Sequence, residues 1–306
     1  MTAATPRTVE EYLDLLRAEL QGADRALVQD ALYDAEEHLR AELAQHPEET
    51  DATMLGRIVA SYGAPGEVAD AYRSNETRVQ AALRTPPPKP KHTSLGRFFS
   101  VYSDPRAYLS MAYMLLALAT GIFYFTFAVT GLSLSAGFAI LIIGIPFFLL
   151  FIGTTRVLAL AEGRIVETLL GTRMPRRPVH PGPTMGWMQR VLEMLKDPRT
   201  WGTLLYLLLM LPLGLFYFTF VIVGIVCSLA LTIAPIVVLL YHAGVISIDG
   251  TVESPHPALL PLVSILGIVL LTVTLHLTRG IGYLHGQLAK SLLVRAPRTA
   301  DEPAVA

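Results

Sequence analysis

Charged positions vanish from the middle of this chain. Residues 107–155 contain no Asp, Glu, Lys, Arg or His. That run is more than twice the roughly 20 apolar residues needed to cross a bilayer. Further apolar stretches cover about 201–224, 226–241 and 258–278. A pattern inside them occurs twice. Asp104-Pro105-Arg106 leads into Gly121-Ile122-Phe123-Tyr124-Phe125-Thr126-Phe127, and Asp197-Pro198-Arg199 leads into Gly214-Leu215-Phe216-Tyr217-Phe218-Thr219-Phe220, at a constant offset of 93. Each copy closes alike: Thr155-Arg156 with Gly163 and Leu169-Leu170, then Thr278-Arg279 with Gly286 and Leu292-Leu293, at an offset of 123. The pattern predicts an all-α fold, with a small soluble N-terminal helical domain ahead of a duplicated polytopic membrane domain.

The first copy reads as two crossings, about 107–130 and 132–155, with a turn near Gly131-Leu132-Ser133. In the second copy, four crossings in total are preferred over five. Segment 226–241, short and carrying Pro235, is then expected to dip into the outer leaflet and return, shielded by protein. The stretches from Arg156 to Gly171 and from Arg279 to Val294 either lie along the inner face of the membrane or continue the spanning helices.

The N-terminal 79 residues show a different periodicity. Thr8-Val9-Glu10-Glu11 is a capping box. Val9, Tyr12, Leu13, Leu16 and Leu20 share one helical face, and Gly22 ends that helix. Asp24 caps a second helix with Leu27, Val28, Leu32, Ala35, Leu39 and Leu43 as its stripe. A third runs from about Thr53 to Tyr62, and Pro65 suits the first turn of a fourth. The organisation is 1–79 acidic helical domain, 80–103 Pro/Lys linker, 104–176 first membrane repeat, 177–196 connector, 197–295 second repeat and 296–306 tail. The linker run Pro86-Pro87-Pro88-Lys89-Pro90-Lys91 favours an extended polyproline conformation.

Charge sets an orientation. Residues 1–79 hold 7 Lys+Arg against 16 Asp+Glu, whereas 80–106 hold five against one and 156–200 eight against four. Loop 242–257 has no Lys or Arg. The positive-inside rule puts the N-terminus, the middle segment and the C-terminus in the cytoplasm of a multi-pass plasma-membrane protein, and the repeats would then run parallel. The N-terminus lacks the basic start and apolar core of a signal peptide. The single cysteine, Cys227, rules out an intrachain disulfide.

Candidate chemistry is sparse. Phe123, Tyr124 and Phe125, with Phe216, Tyr217 and Phe218, fit interfacial anchors or an apolar pocket for a lipid-like ligand. Asp34, Glu36, Glu37 and His38 fit a partner-facing helix surface better than a metal site. His242 and His256 flank the outer loop, and His276 reads as interfacial. Arg173, Arg176 and Arg177 form a basic loop suited to anionic lipid or to the acidic N-terminal domain. No phosphate-cradling loop, nucleophile–base pair or metal-ligand spacing supports an enzyme; no cofactor is expected, and an acidic domain would repel nucleic acid.

The membrane part resembles the bacterial and archaeal sensor-domain family. The resemblance rests on the paired Gly-φ-Phe-Tyr-Phe-Thr stretches, Leu211-Pro212-Leu213-Gly214, Gly144-Ile145-Pro146 and the Arg-to-Leu-Leu ends. Ala119-Thr120 departs from the Leu-Pro pattern in the first copy. The first 75 residues resemble the HAAS signalling domain through Glu11-Tyr12-Leu13, Asp34-Ala35-Glu36-Glu37-His38 and Tyr62-Gly63-Ala64-Pro65-Gly66-Glu67-Val68. These resemblances imply a membrane sensor coupled to a cytoplasmic transcription regulator of the PadR-like kind. The competing readings are a transporter or permease subunit, and a scaffold that binds lipid or a hydrophobic ligand. The spans lack Asp, Glu, Lys and Arg, which disfavours coupled ion transport. Membrane lipids are expected partners, and a homo-oligomer is compatible with the sequence.

Overall fold

The computed structural model describes residues 6–45, 51–83, 93–138, 144–177, 195–247 and 257–294. The Pro/Lys run, His256, most of the connector and the C-terminal tail lie outside them. Every regular element among the described residues is helical. The helices are α1 (Val9–Glu19), α2 (Arg25–Gln45), α3 (Asp51–Tyr62), α4 (Pro65–Leu83), α5 (Ser94–Phe98), α6 (Pro105–Phe138), α7 (Gly144–Leu170), α8 (Pro198–His242) and α9 (Leu260–Leu293). The last four are long and apolar enough to cross a membrane.

Two compact units form. The first combines Met1–Arg84, Thr130–Tyr206 and Gln287–Ala306. Its N-terminal helices form as their caps predict. Thr8 Oγ1 accepts the Glu11 N–H at 3.1 Å, and Asp24 Oδ1 accepts that of Ala26 at 2.9 Å. Gly22 ends the first helix at φ +80°, a conformation that costs residues with a Cβ. Tyr12, Leu16, Leu20, Ala31, Ala35, Leu39, Ile58 and Ala69 close the core around α1–α4. The Tyr12 hydroxyl donates to Gly63 O at 2.9 Å, so this phenol is buried with its polar end satisfied.

The second unit combines Thr85–Val129 and Leu207–Gly286. Its tightest approach is between α6 and α8. A Cβ on Gly121 would lie 2.9 Å from Met210 C, and one on Gly214 would lie 2.7 Å from Ala117 C. Both glycines therefore let backbone meet backbone, as small residues do in membrane helix pairs. Gly224 instead makes room for a side chain: a Cβ there would lie 2.7 Å from Thr274 Cγ2.

The repeated Asp-Pro-Arg has a local cause. Asp104 Oδ1 accepts the Arg106 N–H and Asp197 Oδ1 accepts the Arg199 N–H, each at 3.0 Å. The aspartate is the N-cap, and proline occupies the first helical position, where no N–H is needed.

Three expectations need correction. Gly131 does not turn the chain: α6 continues to Phe138, and the missing side chain of Gly131 makes room for the Phe151 ring, whose Cζ would be 2.9 Å from a Cβ there. Segment 226–241 is not re-entrant either. It completes α8, a single helix of 45 residues with Pro212 and Pro235 inside it. At about 1.5 Å per residue this helix is about 67 Å long, more than twice the bilayer core. Proline removes one ladder bond, and nearby polar side chains satisfy the freed groups. Here Ser264 Oγ donates to Thr232 O at 3.1 Å, next to the Leu231 carbonyl that Pro235 leaves without its helical N–H donor.

The helix directions also differ from the expected parallel arrangement. In the second unit Asp104 pairs with Arg279, Ala107 packs on Leu275 and Tyr113 meets His285, so α6 and α9 advance together. Gly224 against Thr274 and Gly267 against Thr232 show that α9 folds back on α8. The two Gly-φ-Phe-Tyr-Phe-Thr segments therefore run in opposing chain directions, not parallel.

Candidate functional site

The most concentrated polar chemistry lies in the first unit, where α2 and α4 meet the C-terminal end of α7. Gly171 ends α7 at φ +69°, a left-handed value that suits glycine. The chain then turns through Thr172, Arg173, Met174 and Pro175, all buried. Arg173 is only 8% exposed. Its Nη2 donates to Asp30 Oδ2 at 3.0 Å, its Nε to Glu76 Oε2 at 3.2 Å and its Nη1 to Glu167 Oε1 at 3.3 Å. One guanidinium thus ties α2 and α4 of the N-terminal domain to the last turn of α7. Its planar fork of five donors is what permits three carboxylate partners.

The next two residues complete the contact. The backbone N–H groups of Arg176 and Arg177 both donate to Asp30 Oδ1, at 2.7 and 2.8 Å. Gln29 Nε2 donates to Arg177 O at 2.8 Å. Arg177 Nε lies 2.8 Å from Asp34 Oδ1, and its guanidinium stands 5.8 Å from the Tyr33 ring centroid. Arg176 reaches Glu167 at 3.4 Å.

Burial pushes the Asp30 carboxyl above its ordinary range, against the pull of the two backbone N–H groups and of Arg173. Burial acts on Arg173 in the opposite sense, yet Glu76, Asp30 and Glu167 hold its guanidinium above the ordinary value, so it stays charged. Removing one member of such a buried pair costs about 3–5 kcal/mol. A second tether sits at the end of α9, where Lys290 Nζ pairs with Asp24 Oδ2. Lys290 thus reaches the N-terminal domain directly, whereas Glu167, 123 residues earlier, reaches it only through Arg173.

Arg173, Arg176 and Arg177 are therefore brought together with Asp34. The other three acidic-face residues diverge. Glu36 pairs with Arg40 at 3.0 Å, Glu37 is exposed, and His38 stacks on Tyr62 with centroids 4.4 Å apart. The aromatic residues divide by direction. Phe123 and Phe216 are 55% and 56% exposed, stacked on Phe127 and Phe220, while Tyr124 and Tyr217 are buried and Phe125 and Phe218 are half-buried. The two outward phenylalanines suit contact with lipid. His242 ends α8 beside Tyr241, and His276 Nε2 bonds Phe98 O at 2.9 Å.

Sequence reading missed a second polar set. In the second unit His285, 2% exposed, bonds Tyr113 OH through Nε2 at 2.6 Å and Tyr217 OH through Nδ1 at 3.1 Å. A neutral imidazole has one donor and one acceptor, so one phenol donates and the other accepts. In the first unit Tyr206 OH donates to Glu162 Oε1 at 2.9 Å, and Glu162 is fully buried. Tyr113 and Tyr206 are 93 apart, and Glu162 and His285 are 123 apart, the same two offsets at which the sequence pattern recurs. The ion pairs follow the same rule: Arg279–Asp104 at 2.7 Å in one unit and Arg156–Asp197 at 3.8 Å in the other. Comparing the polar residues at those offsets was the signal available.

No curated protein and no solved structure gives a match. The family model described as Putative sensor matches residues 113–293, from the first turns of α6 to the end of α9. That span covers more than half of the 306 residues, and the chain belongs to the Putative sensor family.

Proposed function

We propose that this chain is a multi-pass signalling protein of the cell membrane that passes a membrane or envelope signal to a cytoplasmic regulator through its N-terminal domain. The observation that carries the reading is Arg173, whose buried guanidinium joins Asp30 and Glu76 of that domain to Glu167 at the end of α7. A shift of α7 by a fraction of a turn breaks that geometry. A signal needs only a few kcal/mol of differential stability between two states, which is the scale of one buried ion pair. The excess of Lys and Arg in residues 80–106 supports a cytoplasmic N-terminal domain. The recurrent offsets of 93 and 123 support a duplicated sensor module, and the HAAS resemblance supports a regulator of the PadR-like kind as the receiver. A photo-crosslinking amino acid at exposed Glu37, activated in living cells, tests the reading. Crosslinking to a transcription regulator is expected; crosslinks confined to this chain would overturn it.

A further inference from the structure

The loop after α7 lies on the N-terminal domain as a bound peptide lies on a recognition surface. Its side chains and its backbone are both read. Asp30 accepts two consecutive backbone N–H groups through one oxygen and the Arg173 guanidinium through the other. Gln29 bonds the Arg177 carbonyl, Tyr33 and Asp34 flank its side chain, and Glu76 takes Arg173 from the opposite wall. Met174 is fully buried. Such a surface fixes the spacing Arg-x-x-x-Arg of Arg173 and Arg177 together with the chain path, which an unspecific acidic patch does not; the Arg176 side chain turns instead to Glu167 of α7. A cleft of about 400 Å³ remains beside it, lined by Tyr72, Asn75, Val79 and Arg164, so a segment longer than the loop has room.

We infer that this groove on α2 and α4 is a peptide-binding site for an Arg-x-x-x-Arg basic segment of a cytoplasmic partner protein, and that residues 173–177 occupy it as an intramolecular competitor. The inference rests on the signalling reading and supplies its output chemistry. Charge complementarity selects the occupant: Asp30, Asp34 and Glu76 accept guanidinium and N–H donors, and have nothing to offer an acidic partner. The tethered loop acts at an effective concentration of about millimolar, so a free segment binds well only when α7 withdraws Glu167 and the loop loosens.

The test uses the full chain in lipid nanodiscs and a labelled synthetic peptide of residues 171–179, read by fluorescence anisotropy. A loop variant carrying Arg173→Gln, Arg176→Gln and Arg177→Gln empties the groove. It is expected to bind the peptide about tenfold or more tightly than wild type, the factor by which a millimolar competitor suppresses a site of 100 μM affinity. Adding Asp30→Asn to the loop variant should return binding to the wild-type level, and a peptide with its arginines replaced by glutamine should not bind. Glu167→Gln, which loosens the loop without touching the groove, guards against misfolding of the multiple variant and should bind with intermediate affinity. Equal binding by wild type, the loop variant and Glu167→Gln would overturn the proposal. So would binding that survives Asp30→Asn, or binding of the glutamine peptide. Failure here together with a regulator crosslinked at Glu37 would reject the groove and leave the signalling reading standing.

Discussion

Replacing Gly121 or Gly214 by alanine tests the helix crossing at the centre of the second unit. A Cβ at Gly121 would stand 2.9 Å from Met210 C and 3.1 Å from Leu211 Cα, and closer still to Met210 O; a Cβ at Gly214 would stand 2.7 Å from Ala117 C and 3.0 Å from Leu118 Cα. Ordinary contacts between carbon atoms are about 3.5–4.0 Å, so the backbones must part by roughly half an ångström to one ångström. Main chain cannot step aside as a flexible side chain can. Overpacking of this kind costs about 1–3 kcal/mol. Alanine also favours the helix by about 1 kcal/mol over glycine, so the net loss relative to wild type is about 0–2 kcal/mol and the gap to an uncrowded glycine remains about 1–3 kcal/mol. The molecule supplies its own controls. Gly137 and Gly153 meet nothing within 4 Å, and alanine there should be neutral or stabilising by up to about 1 kcal/mol. The double variant at 121 and 214 should lose less than the sum of the singles, because the first alanine already separates the helices that the second must separate. Denaturant unfolding in micelles, followed by helicity, reads all five proteins. Equal stability of the 121, 214, 137 and 153 variants would refute the backbone-to-backbone crossing.

Other consequences follow from individual pairs. Arg279→Ala should destabilise more than Arg156→Ala, because Arg279, itself half-exposed, satisfies a buried Asp104 at 2.7 Å, whereas Asp197 is more exposed and lies 3.8 Å from Arg156; the same unfolding assay decides the order. Tyr206→Phe leaves the buried Glu162 short of a donor and should cost about 1–3 kcal/mol, measured against Tyr108→Phe, whose hydroxyl bond is exposed. At alkaline pH the N-terminal domain should unfold. Burial holds the Tyr12 phenol above its ordinary value, so above about pH 10 the unfolded chain ionises first and stability falls by up to about 1.4 kcal/mol per pH unit from this group. Tyr12→Phe should lessen the slope of that loss in a circular-dichroism titration, and an unchanged slope would refute the assignment.

The spans were legible because solvation decides them. A stretch of 49 residues without an ionisable side chain has few places to go except lipid. The N-terminal helices were legible because Thr8, Gly22, Asp24 and Pro65 act locally on their own backbone. Pro235 misled for the converse reason. Its cost in a helix depends on the packing and polar contacts around it, and the α9 contact of Ser264 with Thr232, 32 residues away, is invisible to local pattern. The Arg173 cluster was legible only as charge. Its basic loop and acidic domain were recognised, but the pairing of Arg173 with Asp30 spans 143 residues and depends on where α7 ends. His285 was overlooked because a lone histidine in an apolar helix carries no local signal; its two phenols come from other helices.

The central claim is that the N-terminal domain carries the output of the membrane part. The most direct measurement is the transcript profile of cells whose chromosomal copy lacks residues 1–79 and keeps the membrane spans, compared with cells carrying the whole chain and cells carrying Arg173→Ala. A defined set of transcripts is expected to change on deletion and to shift again when Arg173 alone is lost. Identical profiles in all three, with the truncated protein present in the membrane at normal level, would contradict it.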